Sequence, residues 1–489
     1  MLTITHTFSQ SKGSNNWISG HNGNKIDFNN NTIQTSQNLY SLRYFSGGNS
    51  CISDSNENLI LASDGYNVYN SLGGYIEEGD TLIPHSLFIY EDGWSAESQE
   101  SIFLPMDSNK YYFVTPTFSD SQFDDCAANN NCYFDLLLYN VIDMNANAGA
   151  GKVTQRMVPL LQNARLRKTQ MMACRHGNGK DWWLLKQEGD SANVHTFLFT
   201  QDSVYDKGVQ VFSEPVWGSW DLRGQSTFNS DGSIYATTSH GGGLSGFIMI
   251  SDFDRCYGVL SKPYIIQMPS GSQHDPSDTT IMERLPVGLA FSPNKQFLYV
   301  ISMCNIYQYD LQDSTWFHVA GLDTSYQKFQ EYETAYLAPD NKIYIGNWGG
   351  LSKQMSRIDN PDVKGAGCNF CPRCLRMDSL SGVFSLGTPP CMPNYGLGAQ
   401  VCWPLSTHNV VVENELVVYP NPTNNMLYLE GEFLNHQVNE IKIYTILGQL
   451  VYDKKVKTLT GKVALDLKGL NKGVYFLKCN KLMKKVVIE

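Results

Sequence analysis

The sequence predicts an all-β protein in which a large body built from a repeated unit is followed by a small, separate β domain. Aromatic residues make up 12% of the 489 residues and charged residues only 17%, with 41 glycines. This balance is typical of β proteins rich in turns. A chain of this length exceeds what one hydrophobic core usually organises, so we expect at least two domains.

The net charge differs between the two parts of the chain. Residues 415–489 contain 11 Lys against 7 Asp or Glu and carry +4, so the first 414 residues carry -15 of the total of -11. The difference indicates two units of separate origin. The acidic body excludes nucleic acid as a partner, because binding to phosphates requires clustered Lys and Arg.

A repeated segment defines the body. Each copy is a polar turn with Pro, Asp, Asn or Gly, followed by a short apolar and aromatic strand, which predicts a hairpin. The six copies are residues 53–62, 105–114, 176–185, 229–236, 292–300 and 338–345. Their spacing of roughly 45 to 70 residues fits four short strands per repeat.

Several repeats end in a further strand that we interpret as the outer one. These strands are residues 136–143, 195–199, 247–252 and 305–310. Sheets of this kind, repeated radially, form a β-propeller, which protects its sheet edges by closing into a ring. One large β-sandwich, or two of them, is the alternative fold.

The hairpin Phe291-Ser-Pro-Asn-Lys-Gln-Phe-Leu-Tyr299 resembles the recurring hairpin of extracellular seven-bladed propellers similar to WD40-type domains. The segments 15–22 and 26–28 resemble the start of large secreted propeller proteins of Bacteroidetes bacteria. The resemblance covers residues 15–403 and implies about seven blades. Six hairpins are visible, and a seventh blade could be closed by the two ends of the domain.

No stretch reaches the 18 to 20 apolar residues that span a bilayer, so no transmembrane helix is predicted. Residues 1–14 form an N-terminal segment without the charged and apolar regions of a signal peptide. We expect either that a signal peptide has been trimmed or that the true start lies elsewhere.

A linker, residues 404–414, leads to a tail with a different pattern. Alternating apolar residues over four or five strands in residues 415–489 predict a small antiparallel sandwich of the Ig-like kind. The prolines of Val417-Val-Tyr-Pro-Asn-Pro422 keep its first strand from extending into the linker.

The tail strongly resembles the type A sorting domain of substrates of the type IX secretion system, and a generic Ig-like or carbohydrate-binding domain is the alternative. The resemblance implies passage through the periplasm, recognition by the outer-membrane translocon and release as a secreted or cell-surface protein. It assigns the sorting signal to Pro420, Asn421, Pro422, Gly448, Gly473, Tyr475, Lys484, Lys485, Val486 and Val487.

The 12 cysteines fit an oxidising compartment. Cys368, Cys371 and Cys374 form a C-x2-C-x2-C run that could form disulfides, hold a structural metal or remain as free thiols. Disulfides are favoured, because zinc-ribbon spacing would require a second C-x2-C. Cys126 and Cys132 flank a short loop and predict a disulfide.

Three motifs suggest chemistry that their surroundings do not support. His240-Gly-Gly-Gly243 copies an oxyanion-hole string, but the nearby Ser245 lacks the glycine of a nucleophile elbow at position 247. Residues 54–58 resemble a calcium loop without its required Gly and Glu, so a hairpin turn is favoured. Trp182 and Trp183 are expected to pack between blades, with a sugar-binding face as the alternative.

No set of acid, base and nucleophile can be drawn from the sequence, and no cofactor is predicted. We therefore expect a binding protein for an unknown extracellular ligand, a glycan or a protein, rather than an enzyme. A secreted hydrolase of glycans or peptides with its site at the channel mouth is the alternative. A structural part of a surface apparatus is the third. Carboxylates or histidines converging at the channel mouth would favour the hydrolase.

Overall fold

The fold is described from a computed structural model of the chain. It describes residues 12–29, 33–36, 39–40, 43–84, 98–107, 109–129, 132–189, 191–212, 224–240, 246–269, 285–321, 332–347, 352, 354–376, 388–402, 416–431, 434, 438–446, 448–458, 461–480 and 482–489. The chain divides into two compact units, Met1–Cys402 and Trp403–Glu489. The predicted linker 404–414, and all but three residues of the N-terminal segment 1–14, lie outside the described residues.

The first unit begins with two small antiparallel sheets. The first sheet contains β1 (Asn16–His21), β2 (Asn24–Asp27), β3 (Gln34–Ser36) and β4 (Tyr44–Phe45), in the order β3-β2-β1-β4. The second contains β5 (Ser50–Ser53), β6 (Leu59–Ser63) and β7 (Val68–Asn70), in that order.

Five further sheets of four antiparallel strands follow, each with its strands in chain order. The third has β8 (Ile102–Pro105), β9 (Lys110–Thr117), β10 (Leu136–Asp143) and β11 (Lys152–Leu161), with helix α1 (Asp120–Asn129) between β9 and β10. The fourth has β12 (Leu166–Arg175), β13 (Trp182–Glu188), β14 (Val194–Phe199) and β15 (Val204–Gln210).

The fifth sheet has β16 (Ser226–Phe228), β17 (Ile234–His240), β18 (Gly246–Asp254) and β19 (Val259–Gln267). The sixth has β20 (Pro286–Phe291), β21 (Phe297–Ser302), β22 (Asn305–Asp310) and β23 (Thr315–Gly321). The seventh has β24 (Tyr332–Leu337), β25 (Ile343–Asn347), β26 (Gln354–Ile358) and β27 (Phe370–Arg376).

The six predicted hairpins are confirmed, because each turn joins the first strand of a sheet to its second. Turn residues fold these hairpins through local hydrogen bonds. The Oγ atom of Ser292 accepts a bond of 2.9 Å from the Phe297 amide, and Oδ1 of Asn229 accepts one of 3.1 Å from the Ile234 amide. Asn341 supplies the left-handed backbone conformation at another turn, with φ of 60°.

The predicted outer strands are wrong in position. They are β10, β14, β18 and β22, which are third strands, and a fourth strand lies outside each of them. The fourth strands were missed because they are largely solvated. For example, β15 contains only exposed and half-buried residues and lacks an apolar run.

Side chains join each sheet to the next in chain order. The contacts pair Asn16 with Ser53, Ser50 with Ser101, Trp182 with Pro105, Trp183 with Arg255, Gln225 with Leu289, and Tyr299 with Pro361. The ring closes where Trp17 of the first sheet packs edge-on against Tyr344 of the seventh, with ring centroids 5.6 Å apart. The unit is therefore a β-propeller of seven blades over the described residues.

The sequence predicted that the two ends of the domain would together complete the seventh blade. Both ends do contribute to closing the ring, but in a different way. The described strands of the closing first sheet all come from the N-terminal side. The C-terminal residues 388–402, here called the closing segment, instead connect several sheets, and Cys391 pairs with Ser50 of β5 as a parallel bridge. They bond to sheets two, three and five: the Cys391 amide to the Asn49 carbonyl, the Tyr395 hydroxyl to the Phe103 carbonyl, and the Asn394 side chain to the Ser230 carbonyl.

The second unit is a two-sheet sandwich. Its strands are β28 (Val417–Tyr419), β29 (Met426–Glu430), β30 (Val438–Thr445), β31 (Leu450–Lys457), β32 (Lys462–Asp466), β33 (Gly473–Cys479) and β34 (Leu482–Ile488). One sheet has the order β28-β29-β32 and the other β31-β30-β33-β34. Leu427 and Leu465 of the first sheet pack with Ile443 and Leu477 of the second in one buried core. The predicted sandwich is confirmed.

Three disulfides lie in the first unit: Cys126–Cys132, Cys256–Cys402 and Cys371–Cys374. The predicted Cys126–Cys132 bond is confirmed, although residues 127–129 of the predicted loop belong to α1. Cys256–Cys402 has a sequence separation of 146 and ties the closing segment to the turn after β18. A cross-link stabilises more when the loop it closes in the unfolded chain is longer.

We expect the Cys256→Ser/Cys402→Ser variant to lose far more stability than the Cys371→Ser/Cys374→Ser variant. Loop-closure entropy gives about 5 kcal/mol for the long loop and about 2 kcal/mol for the short one. Calorimetry of the full chain measures the unfolding midpoint of the propeller in each variant. Equal midpoints would show that the closing segment is held without its disulfide.

Candidate functional site

The predicted sorting residues of both ends of the tail meet at one place. The turn that contains Pro420, Asn421 and Pro422 lies against β34. The Asn421 side chain donates to the Lys485 carbonyl and accepts from the Val487 amide, both at 2.8 Å. One carboxamide therefore satisfies two backbone groups of the last strand.

Thr423 extends this contact. Its amide donates to the Val487 carbonyl and its carbonyl accepts from the Glu489 amide, both at 2.9 Å, so it pairs with Ile488 as a parallel bridge. The start of the sandwich thus anchors the end of the chain. The Pro-Asn-Pro turn and the terminal residues are thus in direct contact although they are more than 60 positions apart.

β34 pairs with β33 on one side and is the last strand of its sheet. Val486 is fully buried in the core, whereas Lys484 and Lys485 are exposed. Charged side chains on such a strand oppose pairing with other chains. The Lys pair is therefore available to a partner and also protects an edge.

The other predicted sorting residues have structural positions. Gly448 occupies the turn between β30 and β31 with φ of 81°, a conformation that favours glycine. Gly473 begins β33 and pairs with Ile488. Tyr475 is buried, pairs with Val486, and donates from its hydroxyl to the Asn471 carbonyl at 2.7 Å.

The predicted cysteine cluster does not converge on a metal site. Cys371 and Cys374 bond to each other, whereas Cys368 is buried as a free thiol whose neighbour is the Tyr299 hydroxyl. Cys391 is also a buried free thiol, and Cys402 pairs with Cys256. The structure therefore supports the disulfide interpretation for two of the three clustered cysteines.

Charged residues do gather near the propeller axis, but they are buried. Glu100 and Lys186 are fully buried, and Glu333 and Arg167 are at most 5% exposed. The Nζ atom of Lys186 donates to the Thr169 carbonyl. Burial lowers the pKa of Lys186 to about 7, with Glu100 opposing the shift and Arg167 adding to it. Such groups lie within the packed interior and not at a mouth that substrate could reach.

A cleft of about 860 Å³ lies between turns of the propeller and the closing segment. Turn residues of the fifth, sixth and seventh sheets line one side of it, and closing-segment residues line the other. This volume is within the range of ligand pockets. Its principal lining residues are Asp231, Arg255, Asn294, Asn341, Asp362 and Gly398.

The polar groups of this turn-side cleft are fixed by their neighbours. Arg255 donates from Nη2 to the Gly398 carbonyl at 2.6 Å and from Nη1 to the Gln400 side chain at 3.2 Å. Asp362 accepts from the Asn294 amide at 2.8 Å. These bonds hold the walls in one geometry, which lowers the entropy lost when a ligand binds.

The carboxylate of Asp231 is held in its charged form. Burial alone would raise its pKa, but Lys295 at 2.7 Å and the Ser233 hydroxyl at 2.6 Å lower it below its ordinary value. An acid that stays ionised near neutral pH cannot donate a proton to a leaving group. No histidine is among the lining residues that the structure describes.

The remaining predicted motifs have structural roles or fall outside the described residues. Asp54 accepts from the Asn56 and Asn58 amides and closes a hairpin turn. Trp182 and Trp183 are buried and donate to carbonyls of neighbouring blades, so they are packing residues. Residues 241–245, with most of the His240–Gly243 string and Ser245, lie outside the described residues.

Sequence reasoning did not find the cleft. Its lining residues come from turns and a closing segment that are up to 170 positions apart in the chain. Each residue alone is an ordinary turn residue, so no local signal marks the site.

Comparison with known families identifies the tail. Residues 417–489 match the family of secretion system C-terminal sorting domains. No curated protein sequence matches the chain. Within the part of the chain that the structure describes, no helix has the length and apolar character of a membrane span.

Solved structures similar to the chain share little sequence with it. A hypothetical selenium-binding protein from Sulfolobus tokodaii covers 78% of this chain and 96% of its own, with 9% identity and a TM-score of 0.42. AztD from Citrobacter koseri covers 78% and 87%, with 11% identity and a TM-score of 0.33. The β-propeller domain of Cps50 (Swd1) from Myceliophteria thermophila covers 73% and 94%, with 11% identity and a TM-score of 0.28.

The seven sheets and the sorting tail define the class of this protein. It is a β-propeller protein with a C-terminal type IX secretion sorting domain. The sorting domain indicates that the chain is exported and that it interacts with the type IX secretion system.

We expect Asn421→Ala to loosen the terminal strand, because it removes two hydrogen bonds to β34 at a cost of about 1–3 kcal/mol. Hydrogen exchange measured on the full chain should show faster exchange of the Val487 amide. Asn424→Ala is the matched control, since Asn424 is exposed in the same turn. Equal protection in both variants would contradict the anchoring role of Asn421.

Proposed function

We propose that this protein is a non-enzymatic binding protein that the type IX secretion system delivers to the cell surface or the medium of a Bacteroidetes bacterium. The propeller, residues 15–403, is the working module, and the sandwich, residues 415–489, is the sorting signal. The observation that supports binding most strongly is the turn-side cleft with its fixed polar walls.

The ligand class follows from the chemistry of the cleft. Its walls present the carboxylates of Asp231 and Asp362 and the side-chain amides of Asn294 and Asn341. Such groups accept hydrogen bonds from hydroxyl and amino groups. We therefore propose a polar ligand rich in these donors, such as an oligosaccharide, in preference to an apolar one.

The translocon contact is proposed at the anchored end of the tail. Lys484 and Lys485 are exposed on β34, and Asn421 fixes the backbone on which they stand. The contact residues are therefore displayed in one conformation before a partner arrives, which favours recognition.

The hydrolase alternative has less support. Glu100 and Glu333, the carboxylates near the propeller axis, are buried. In the cleft, Asp231 is held ionised by its neighbours. A hydrolase would need an accessible acid and base pair, which these residues do not supply.

We expect a chain that ends at residue 414 to remain in the periplasm of a host with type IX machinery, while the wild type leaves the cell. Lys484→Ala/Lys485→Ala should reduce export, because it removes the exposed charges of the anchored strand. Lys454→Ala/Lys455→Ala removes the same charge from exposed positions of β31 and is the control. Fractionation with intact-mass analysis measures both, and unchanged delivery of the shortened chain would refute the sorting role.

We expect Gly398→Trp to abolish ligand capture on an array of oligosaccharides. A Cβ atom at Gly398 has no heavy atom within 4 Å, and Gly398 lines the cleft, so we expect the indole to occupy the site. The control is Gly469→Trp, since Gly469 also faces open space but lies in the sandwich. A loss of at least about tenfold in affinity, roughly 1.4 kcal/mol, is expected only for Gly398→Trp. Equal binding by both variants would place the ligand elsewhere.

A further inference from the structure

The disulfide between Cys371 and Cys374 differs from the other two in what it joins. The two cysteines are three positions apart on one strand, β27, which is the outermost strand of the seventh sheet. By contrast, Cys256–Cys402 joins the closing segment to the fifth sheet. A disulfide that closes so short a loop removes little conformational entropy from the unfolded chain. Of the three disulfides, it is therefore the one that contributes least to stability.

The strand bulges outward at this disulfide. Met355 pairs with Leu375 and Arg357 pairs with Cys371. Between these two pairs β27 therefore has two more residues than β26. The extra residues include Pro372, which is exposed, and Arg373, which is half-buried and has a φ of 54°. The disulfide therefore closes a loop that projects from the sheet edge.

The bulge is also held without the disulfide. The Arg373 amide donates to the Ser356 hydroxyl at 3.2 Å, and the strand pairs with β26 on both sides of the bulge. Opening the S–S bond removes none of these contacts. The redox state of the two sulfurs can therefore change while the sheet remains intact.

The surroundings of the two sulfur atoms favour thiol–disulfide exchange. Both cysteines are half-buried, unlike the free thiols Cys51, Cys174 and Cys391, which are buried. Arg373 lies between them in sequence and Arg376 follows on the same strand. Positive charge stabilises a thiolate that leaves and attracts a thiolate that attacks.

We propose that Cys371 and Cys374 form a redox-active disulfide that exchanges with external dithiols while the propeller stays folded. One thiolate of the dithiol attacks one sulfur, the Cys371–Cys374 bond breaks, and a mixed disulfide forms as the other cysteine leaves as a thiolate. The second thiol of the dithiol then displaces the remaining cysteine. Two electrons pass to the protein, both cysteines take up protons, and the dithiol becomes a disulfide.

A redox titration of the full chain tests this proposal. Without denaturant, the protein is equilibrated in mixtures of reduced and oxidised dithiothreitol, alkylated, and digested for mass spectrometry of each cysteine pair. We expect Cys371–Cys374 to be half-reduced at a ratio of reduced to oxidised reagent about tenfold lower than the other two disulfides require. The near-ultraviolet circular dichroism should be unchanged at that ratio.

Cys126–Cys132 is the internal control, because it also closes a short loop between half-buried cysteines. Reduction of both pairs at the same ratio would overturn the proposal, since exposure alone would then explain the result. So would reduction of Cys371–Cys374 only together with loss of the dichroism signal, or the finding that these cysteines are unbonded in the oxidised protein.

The role of the cation has its own test. We expect Arg373→Glu to slow reduction by glutathione, an anionic thiol, by roughly fivefold, as charge reversal near the sulfurs repels the attacking thiolate. Lys180→Glu makes the same change in net charge at an exposed turn far along the chain and should leave the rate unchanged. Equal rates in wild type and Arg373→Glu would overturn the electrostatic part of the proposal.

Discussion

The carboxamide of Gln225 connects three blades at the centre of the propeller. Its Oε1 accepts from the Leu289 amide at 2.9 Å and the Ala335 amide at 3.0 Å, and its Nε2 donates to the Ala335 carbonyl at 2.7 Å. The first strand of a blade has a free inner edge, so its backbone groups need partners from outside the sheet. One buried glutamine supplies these partners to the sixth and seventh blades.

Gln99 makes the matching connection across the axis. Its Nε2 donates to the Ser226 carbonyl and the Tyr336 hydroxyl, and its Oε1 accepts from the Ser226 amide. The third, fifth and seventh blades are thereby joined although they are not neighbours in the ring. A buried group left without its partner costs about 1–3 kcal/mol. The centre is therefore specified by polar pairing, while apolar packing fills the spaces between the blades.

The turn-side cleft depends on this closed ring. Its walls come from three blades and the closing segment, so their positions are fixed only when the ring is complete. Arg255 shows the dependence directly, since it bonds to the Arg175 carbonyl of the fourth blade and the Gly398 carbonyl of the closing segment. The cleft therefore forms only when the ring of blades is closed.

The sequence predicted the features that depend on local residue patterns, above all the hairpins. The turn before β21 has Ser, Pro and Asn followed by a run of buried residues, and its hairpin was predicted correctly. The strand β23 was not predicted, and its residues are exposed or half-buried at the outer edge of the sixth sheet. The pairing of Cys256 with Cys402 and the gathering of Asp231, Asp362 and Gly398 arise from ring closure, which joins residues far apart in the chain without a local signature.

The two units have separate hydrophobic cores. The sandwich core is drawn from residues between Leu416 and Ile488, whereas the propeller cores end at Leu397. Removal of the tail therefore takes no buried apolar side chain from the propeller core. A failure of the shortened chain to leave the cell would then report on recognition of the tail and not on unfolding of the propeller.

The anchoring of β34 by Asn421 and Thr423 is likewise internal to the sandwich. The surface proposed as the sorting signal is thus one that the sandwich builds by itself, with its first turn bonded to its last strand.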